Sequence, residues 1–270
     1  MSYKTDLHLH TYFSDGSMSP TDIVKRAKEM GYELISITDH DGVDGIPEAT
    51  IAGKALGIKV IPGIELSTED EQRISMHILG YDIDIDNPEL LDKLKELKQK
   101  RKDRNDQLIE VLNKMGYAIS MEDLRFTEGQ SYIGKPIIAR ALLKKGYITD
   151  AKQAFESGKF LESPEAKAVK KDKISAEEAI TLIKKAGGIA VLAHPMKIKK
   201  IGDRGTDQFY EELEKLIQKM KAFGLKGIEC YHTDQTNQES LRLVELAEKY
   251  HLHITEGSDY HGPEFEKPHA

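Results

Sequence analysis

Seven short apolar segments of this chain read as strands, and most connections between them read as helices. That alternation, more than any other feature, limits the folds open to it. Strand-like stretches fall at residues 3–8, 33–38, 59–61 (running on toward Glu65), 74–79, 189–193, 227–231 and 252–255. Between them, Ser19-Pro20-Thr21-Asp22 opens a helix that Gly31 closes, and residues 47–56 form another. Ser175-Ala176-Glu177-Glu178 reads as a capping box for a helix to Ala186. Further helices are expected at 207–223 and 236–250. Strands alternating with helices imply parallel pairing. Seven strands favour a slightly incomplete α/β barrel over an open doubly wound sheet. No G-x-G-x-x-G and no P-loop sequence occurs, which removes the usual dinucleotide and nucleoside-triphosphate readings.

The same strands run into metal-ligand residue types. The first carries His8 and His10 in Asp6-Leu7-His8-Leu9-His10, and the second leads to Thr38-Asp39-His40. Later strands lead to Glu65, His77, His194 and His232, and the last to Ser258-Asp259-Tyr260-His261-Gly262. Residues two apart in a strand point the same way, so His8 and His10 are aimed together. Active sites of α/β barrels lie at the carboxyl ends of the strands. Imidazole and carboxylate gathered there suit Zn²⁺, Mn²⁺ or Fe. A lone histidine is ordinarily a satisfied or surface side chain, and that reading fits His251, His253 and His269. It does not fit His8, His10, His40, His194 and His261 together. His77 lies inside an apolar strand, where an uncompensated polar group is costly and a metal would compensate it. Asp259 and Glu65 have helix-cap or ion-pair readings, but their strand-end positions favour ligation.

Other positions stay open. Asp15 sits in an Asp-Gly turn, and only its place in the first strand–helix loop makes it a ligand candidate. Asp39 and Asp41 flank His40 and are expected to hydrogen-bond the ligand imidazoles. Cys230 and His232 are expected on one face of their strand, Cys230 as a small buried residue. His232 is consistent with a ligand, a phosphate contact or a leaving-group acid.

At 270 residues the chain suits one barrel or two modest domains. Its longest apolar stretches, such as residues 188–193, are far too short to span a bilayer. No apolar signal segment precedes the first strand, and a single cysteine permits no intrachain disulfide. Both fit a cytoplasmic protein. A net charge of -7 argues against broad binding to long duplex nucleic acid. Residues 87–173 break the strand–helix rhythm. They read as a helical insertion, or lid, between barrel portions at 1–86 and 174–270. The polar run from Lys98 to Arg104 reads as a solvated helix face, with a phosphate-attracting rim as the alternative.

These residues carry a resemblance. His8-Leu9-His10-Thr11, Thr38-Asp39-His40, Ala193-His194-Pro195 and Ser258-Asp259-Tyr260-His261-Gly262 resemble four successive motifs of the PHP (polymerase and histidinol phosphatase) superfamily. The resemblance implies a distorted (β/α)7 barrel holding two or three divalent metal ions. It places the ligand pattern on His8, His10, Asp15, His40, Glu65, His77, His194, Asp259 and His261. The segment Gly134-Lys135-Pro136-Ile137-Ile138-Ala139-Arg140-Ala141-Leu142 is similar to that of stand-alone members acting on nucleoside 3′,5′-bisphosphates and 5′ ends of short RNAs. Those usually read closer to G-R-P-H-I-A-R-A-L, so Lys135 stands for the Arg and Ile137 for the His.

The expected activity is therefore metal-dependent hydrolysis of a terminal phosphate on a small nucleotide or short oligonucleotide. A metal-bound hydroxide is expected as the nucleophile. Lys135, Arg140 and His232 are the expected substrate contacts, His232 doubling as a candidate acid. Hydrolysis of C–N bonds and a histidinol-phosphate-type phosphatase are the alternatives. A non-catalytic or polymerase-associated module ranks last.

Overall fold

The computed structural model describes residues 4–126, 132–170 and 173–263. The barrel begins with β1 (Thr5–Leu9), α1 (Pro20–Glu29), β2 (Leu34–Ile37), α2 (Ile46–Leu56), β3 (Lys59–Glu69) and β4 (Ser75–Tyr81). Then come α3 (Pro88–Lys114), α4 (Lys135–Lys144) and α5 (Pro164–Ala168), with short 3-10 turns between them. The barrel resumes with α6 (Ala176–Lys185), β5 (Ile189–Leu192), α7 (Asp207–Phe223), β6 (Gly227–His232), α8 (Asn237–Lys249) and β7 (His253–Gly257).

The seven strands form one sheet in sequence order. Its two edges nearly meet: His10 N–H donates to Tyr260 O at 3.0 Å, and Leu9 bridges Tyr260 in parallel. The result is a distorted (β/α)7 barrel. Pairing is not parallel throughout, however. β4 runs antiparallel to both β3 and β5. Only a short turn joins β3 to β4, and a parallel pair needs a crossover of a dozen residues or more. The reversal has a consequence for the site. His77, near the start of β4, lies at the same end of the barrel as the other strands' carboxyl ends.

Alternation along the strands divides the apolar residues. Leu79, Tyr81, Val191 and Ala193, with Leu7 and Ile61, form a small cluster inside the barrel. Ile64, Leu66, Ile78, Leu192 and Ile228 belong to the larger core that also takes in helix residues such as Val24, Ile180, Phe209 and Leu243. Helix starts follow local chemistry. The hydroxyls of Ser19, Ser175 and Thr206 accept the N–H of Asp22, Glu178 and Phe209. A reciprocal capping box closes between Thr236 and Glu239.

The 27-residue α3, roughly 40 Å long, serves two cores. Leu90, Leu94 and Leu97 join the barrel's core, whereas Leu108, Ile109 and Leu112 join a separate cluster with Ile138, Leu142 and Leu161. Between them Arg101 and Arg104 are buried, 5% and 7% exposed. The run from Lys98 to Arg104 is thus not a uniformly solvated face, and two of its arginines turn inward over the barrel mouth. Among the described residues, no helix is long and apolar enough to cross a membrane.

Candidate metal centre

Glu65 is the hub of the barrel mouth. It lies midway along β3, fully buried, with five imidazoles around its carboxylate. Oε1 is 2.8 Å from His77 Nδ1, 2.9 Å from His194 Nε2 and 3.4 Å from His8 Nε2. Oε2 is 2.8 Å from His40 Nδ1 and 3.4 Å from His10 Nε2. Burial alone would raise the pKa of Glu65, but His40, His77 and His8 hold it well below the carboxylate range.

A second carboxylate, Asp259, follows β7 in the left-handed region, φ 55°. Its Oδ1 is 3.4 Å from His8 Nε2, 3.2 Å from His10 Nε2 and 3.6 Å from His261 Nδ1. Asp15 is the third, 3.2 Å from His261 Nε2 and 3.8 Å from both His10 and His40. All nine expected ligands therefore converge. The ligand atoms of eight of them gather in three overlapping groups, His10–Asp15–His40–His261, His8–His10–Glu65–Asp259 and His40–Glu65–His77, each within 4.8 Å, and His194 joins through Glu65 Oε1.

The imidazoles are held from behind. His8 Nδ1 lies 2.9 Å from Glu229 Oε1, His10 Nδ1 3.2 Å from Ser14 Oγ, and His261 Nδ1 2.8 Å from the carbonyl of Asp259. Each arrangement puts the proton on Nδ1 and turns the Nε2 lone pair into the cluster. There His8 Nε2, His10 Nε2, His40 Nδ1 and Glu65 Oε2 are buried without an aligned hydrogen bond, although several are within contact distance of one another. Buried polar atoms left so are costly unless a cation fills the space between them. Burial and the neighbouring His261 push His10 down to about 3, and burial pushes His77 down to about 4, so both are neutral as ligation requires. For His261, the facing Asp15 outweighs burial and lifts it to about 9. The residues present fit divalent metal ions.

Several side chains that support this cluster were not expected from the sequence. Glu229 on β6 bonds His8 and, through Oε2, accepts the backbone N–H of His194 at 2.7 Å. Asp6 accepts the N–H and hydroxyl of Ser258, at 2.9 and 2.6 Å, and so fixes the turn that carries Asp259. Lys197 lies 2.7 Å from Asp259 Oδ2. Asp39 works on His10 through an intermediary, because it accepts from Thr11 and from Ser14 Oγ. Asp41 accepts the N–H of Ser67 and forms a buried ion pair with Arg101, whose guanidinium stacks 4.1 Å from the Tyr132 ring. The Tyr132 ring in turn stacks on His40 at 5.7 Å. The expected direct hydrogen bonds from Asp39 and Asp41 to imidazoles are thus replaced by a serine relay and a tether to α3.

Cys230 and His232 do not share a face. A register shift between Glu229 and Tyr231 interrupts the alternation of β6. Cys230 belongs to the main apolar core, while His232 turns to Asp259, 3.6 Å away. His232 Nδ1 accepts the N–H of Asp234 at 3.0 Å, which leaves the proton on Nε2, facing that carboxylate. His251 and His253 lie just before and at the start of β7, and His269 lies outside the described residues.

A cavity of about 510 Å³ opens from His40 and His77 toward the insertion, lined by Arg104, Tyr132, Lys135, Lys170 and Lys173 among others. Lys135 reaches it while pairing with Glu162 at 3.0 Å. Arg140 is not among its lining residues. Five positions on, it is about 140° round the helix from Lys135, so α4 does not turn both to one cavity. Ile137 is buried in the insertion's own core.

A family model described as PHP domain matches residues 6–222. A 5′-3′ exoribonuclease of Haemophilus influenzae is 33% identical over 264 residues, 97% of this chain and 92% of that protein. A 3′,5′-nucleoside bisphosphate phosphatase of Chromobacterium violaceum is 31% identical over 259 residues, 96% of this chain and 87% of that protein. A solved structure from Bifidobacterium adolescentis, assigned by inference as a metal-dependent phosphoesterase, superposes with a TM-score of 0.84 at 29% identity, covering 100% of this chain and 91% of that one.

Proposed function

The chain belongs to the PHP domain family, and from that premise we propose that it is a phosphoesterase that removes a terminal phosphate from a small nucleotide or short oligonucleotide. One observation carries the reading. Six imidazoles and three carboxylates meet at the barrel mouth, and among them the buried His8 Nε2, His10 Nε2, His40 Nδ1 and Glu65 Oε2 have no aligned hydrogen bond. Two or three Mn²⁺, Zn²⁺ or Fe²⁺ ions held by His8, His10, Asp15, His40, Glu65, His77, His194, Asp259 and His261 would supply charge neutralisation at phosphoryl oxygens and a nucleophile at neutral pH.

The chain's own groups do the rest. Glu229 and Ser14 hold His8 and His10 in one tautomer, and Asp6 and His232 fix Asp259. Arg104, 93% buried by its 7% exposure and with Nε lacking a partner, faces the cavity beside Lys135. We assign these two to a phosphate that is not cleaved, in place of the Lys135–Arg140 pair expected from the sequence. Hydrolysis breaks the phosphorus–oxygen ester bond and adds water's oxygen to phosphorus, and the departing alkoxide gains a proton.

The test is phosphate release from a panel of nucleoside bisphosphates, mononucleotides and an aryl phosphate, after chelation and after readdition of Mn²⁺, Zn²⁺ or Fe²⁺. Metal-dependent release that is fastest on substrates carrying a second phosphate is expected. No release from any of them with any metal would overturn the proposal.

A further inference from the structure

The cavity over the insertion is only half of the opening. A second cavity, of about 440 Å³, leaves the same side chains, His40, His77 and Arg73, in another direction. Its outer wall is the segment between β5 and α7, with Lys197, Lys199 and Lys200. The only carboxylates among its lining residues are Glu65 and Asp259, which sit on its floor in the ligand cluster. A further hollow of about 600 Å³ continues along that segment from Met196 to Arg204, its four cations, Lys197, Lys199, Lys200 and Arg204, set against one carboxylate, Asp203. In a chain of net charge -7, this is a local line of cations running outward from the metal centre.

The segment is held in place. Met196, Ile198 and Ile201 are buried in the main core, and Lys200 Nζ donates to the carbonyl of Arg73 at 2.7 Å. Arg204 is clamped by Glu239 at 2.7 and 2.9 Å. Lys199 and Lys200 are exposed, and Lys200 keeps its position with a left-handed backbone, φ 70°. Anchored apolar residues between outward lysines make a preorganised wall, so little ordering is needed when a polyanion lies along it.

We propose that this arm binds the phosphodiester backbone of a short single-stranded oligonucleotide, on the side of the scissile phosphate away from the insertion cavity. The proposal rests on the phosphoesterase reading, and adds to it the wall that holds the strand beyond the scissile phosphate. On a strand the same chemistry falls on the phosphodiester next to the terminal phosphate. The terminal phosphate lies uncleaved in the insertion cavity, the scissile phosphate over Glu65 and Asp259, and the following phosphates along Lys199 and Lys200. The bond from phosphorus to the terminal nucleotide breaks, that nucleotide's alkoxide gains a proton, and the rest of the strand keeps the phosphate. The cations lie within cavities rather than on a broad face, which suits a single strand and excludes a duplex. Aromatic side chains are absent from the described lining of the arm. Affinity there comes from the backbone and shows little base preference.

The test uses the whole chain and a fluorescein-labelled, 5′-phosphorylated RNA pentamer in EDTA, followed by anisotropy across a salt series. Lys199→Ala/Lys200→Ala is expected to weaken binding on the order of tenfold near 0.1 M salt and to flatten the logarithmic salt slope by about 1.4, as two lost contacts to a single strand require. Lys199→Arg/Lys200→Arg should restore both. In turnover, the alanine variant should lose at least several-fold more kcat/KM on the pentamer than on a nucleoside bisphosphate. A wild-type protein that binds the pentamer no better than a mononucleotide, or an alanine variant with unchanged slope and affinity, overturns the proposal. Pentamer binding that depends on the lysines, without metal-dependent hydrolysis of any substrate, would support the arm and sink the catalytic reading instead.

Discussion

Glu229 holds His8 through a 2.9 Å contact between Oε1 and Nδ1, and its other oxygen ties down the backbone of His194. One buried carboxylate on β6 thus orients ligands from β1 and β5. Space is tight there: a Cβ on Gly257 would fall 2.3 Å from His8 Cβ and 2.5 Å from Glu229 Oε1, so only glycine fits beside the pair.

Glu229→Ala should therefore weaken metal binding about 10- to 100-fold, the usual effect of removing a partner of a ligand imidazole. Competition against a chromogenic chelator measures it. Glu229→Gln, which still accepts from Nδ1–H, should recover part of the loss. Unchanged affinity in the alanine variant would mean that His8 needs no such support.

Removing a ligand should be more severe. His10→Ala and Asp259→Asn are each expected to lower turnover by about 100-fold or more, with metal content reduced and circular dichroism preserved. Asparagine is the choice at 259 because it tolerates the left-handed backbone there. A variant with full metal and near-wild-type turnover would remove that residue from the proposed ligand set.

The Asp41–Arg101 pair is buried on both sides, 6% and 5% exposed, and fastens α3 to the mouth. Arg101→Ala removes the cation that faces a buried carboxylate, so a loss of about 3–5 kcal/mol is expected. For a chain of this size that is a melting shift of roughly 10 °C. Adding Asp41→Asn to Arg101→Met removes both charges and should recover most of it. Equal melting points for the single and double variants would show that the charge pairing is not what matters.

The barrel was legible because its strands are apolar and end in residues that no apolar strand needs. His8, His10, His40 and His194 stood out for that reason. The reversal of β4 was readable too, since the turn from Asp70 to Ile74 is too short for a crossover. The buried arginines also left a trace. Leu90, Leu94, Leu97, Arg101, Arg104, Leu108 and Leu112 recur at spacings of three and four, so the arginines occupy two places in one apolar stripe. Glu229 left none. A period of two assigns faces only on a regular ladder, and the irregularity in β6 is set by its neighbours.

Burial among apolar neighbours pushes the Cys230 thiol up to about 12. At pH 8 the unreactive thiol form dominates. The native protein should therefore resist Ellman's reagent at that pH and react stoichiometrically once unfolded. Rapid labelling of the native state would contradict the buried position of Cys230 in the barrel's outer core.

The last prediction separates two arginines. Arg104 lines the cavity with Nε lacking a partner, whereas Arg140 is not among the lining residues. A guanidinium that grips a non-scissile phosphate contributes a charge-assisted interaction, and its loss shows in kcat/KM. Arg104→Ala should lower kcat/KM on a nucleoside bisphosphate by roughly 10- to 1000-fold, and by much less on an aryl phosphate that has no second phosphate. Arg140→Ala should show no such difference between the two substrates. Arg104 is also packed against the mouth, so melting curves and metal content must accompany the kinetics. Equal losses on both substrates, with stability reduced, would make Arg104 a packing residue. A substrate-selective loss for Arg140→Ala alone would return the phosphate site to the other face of α4.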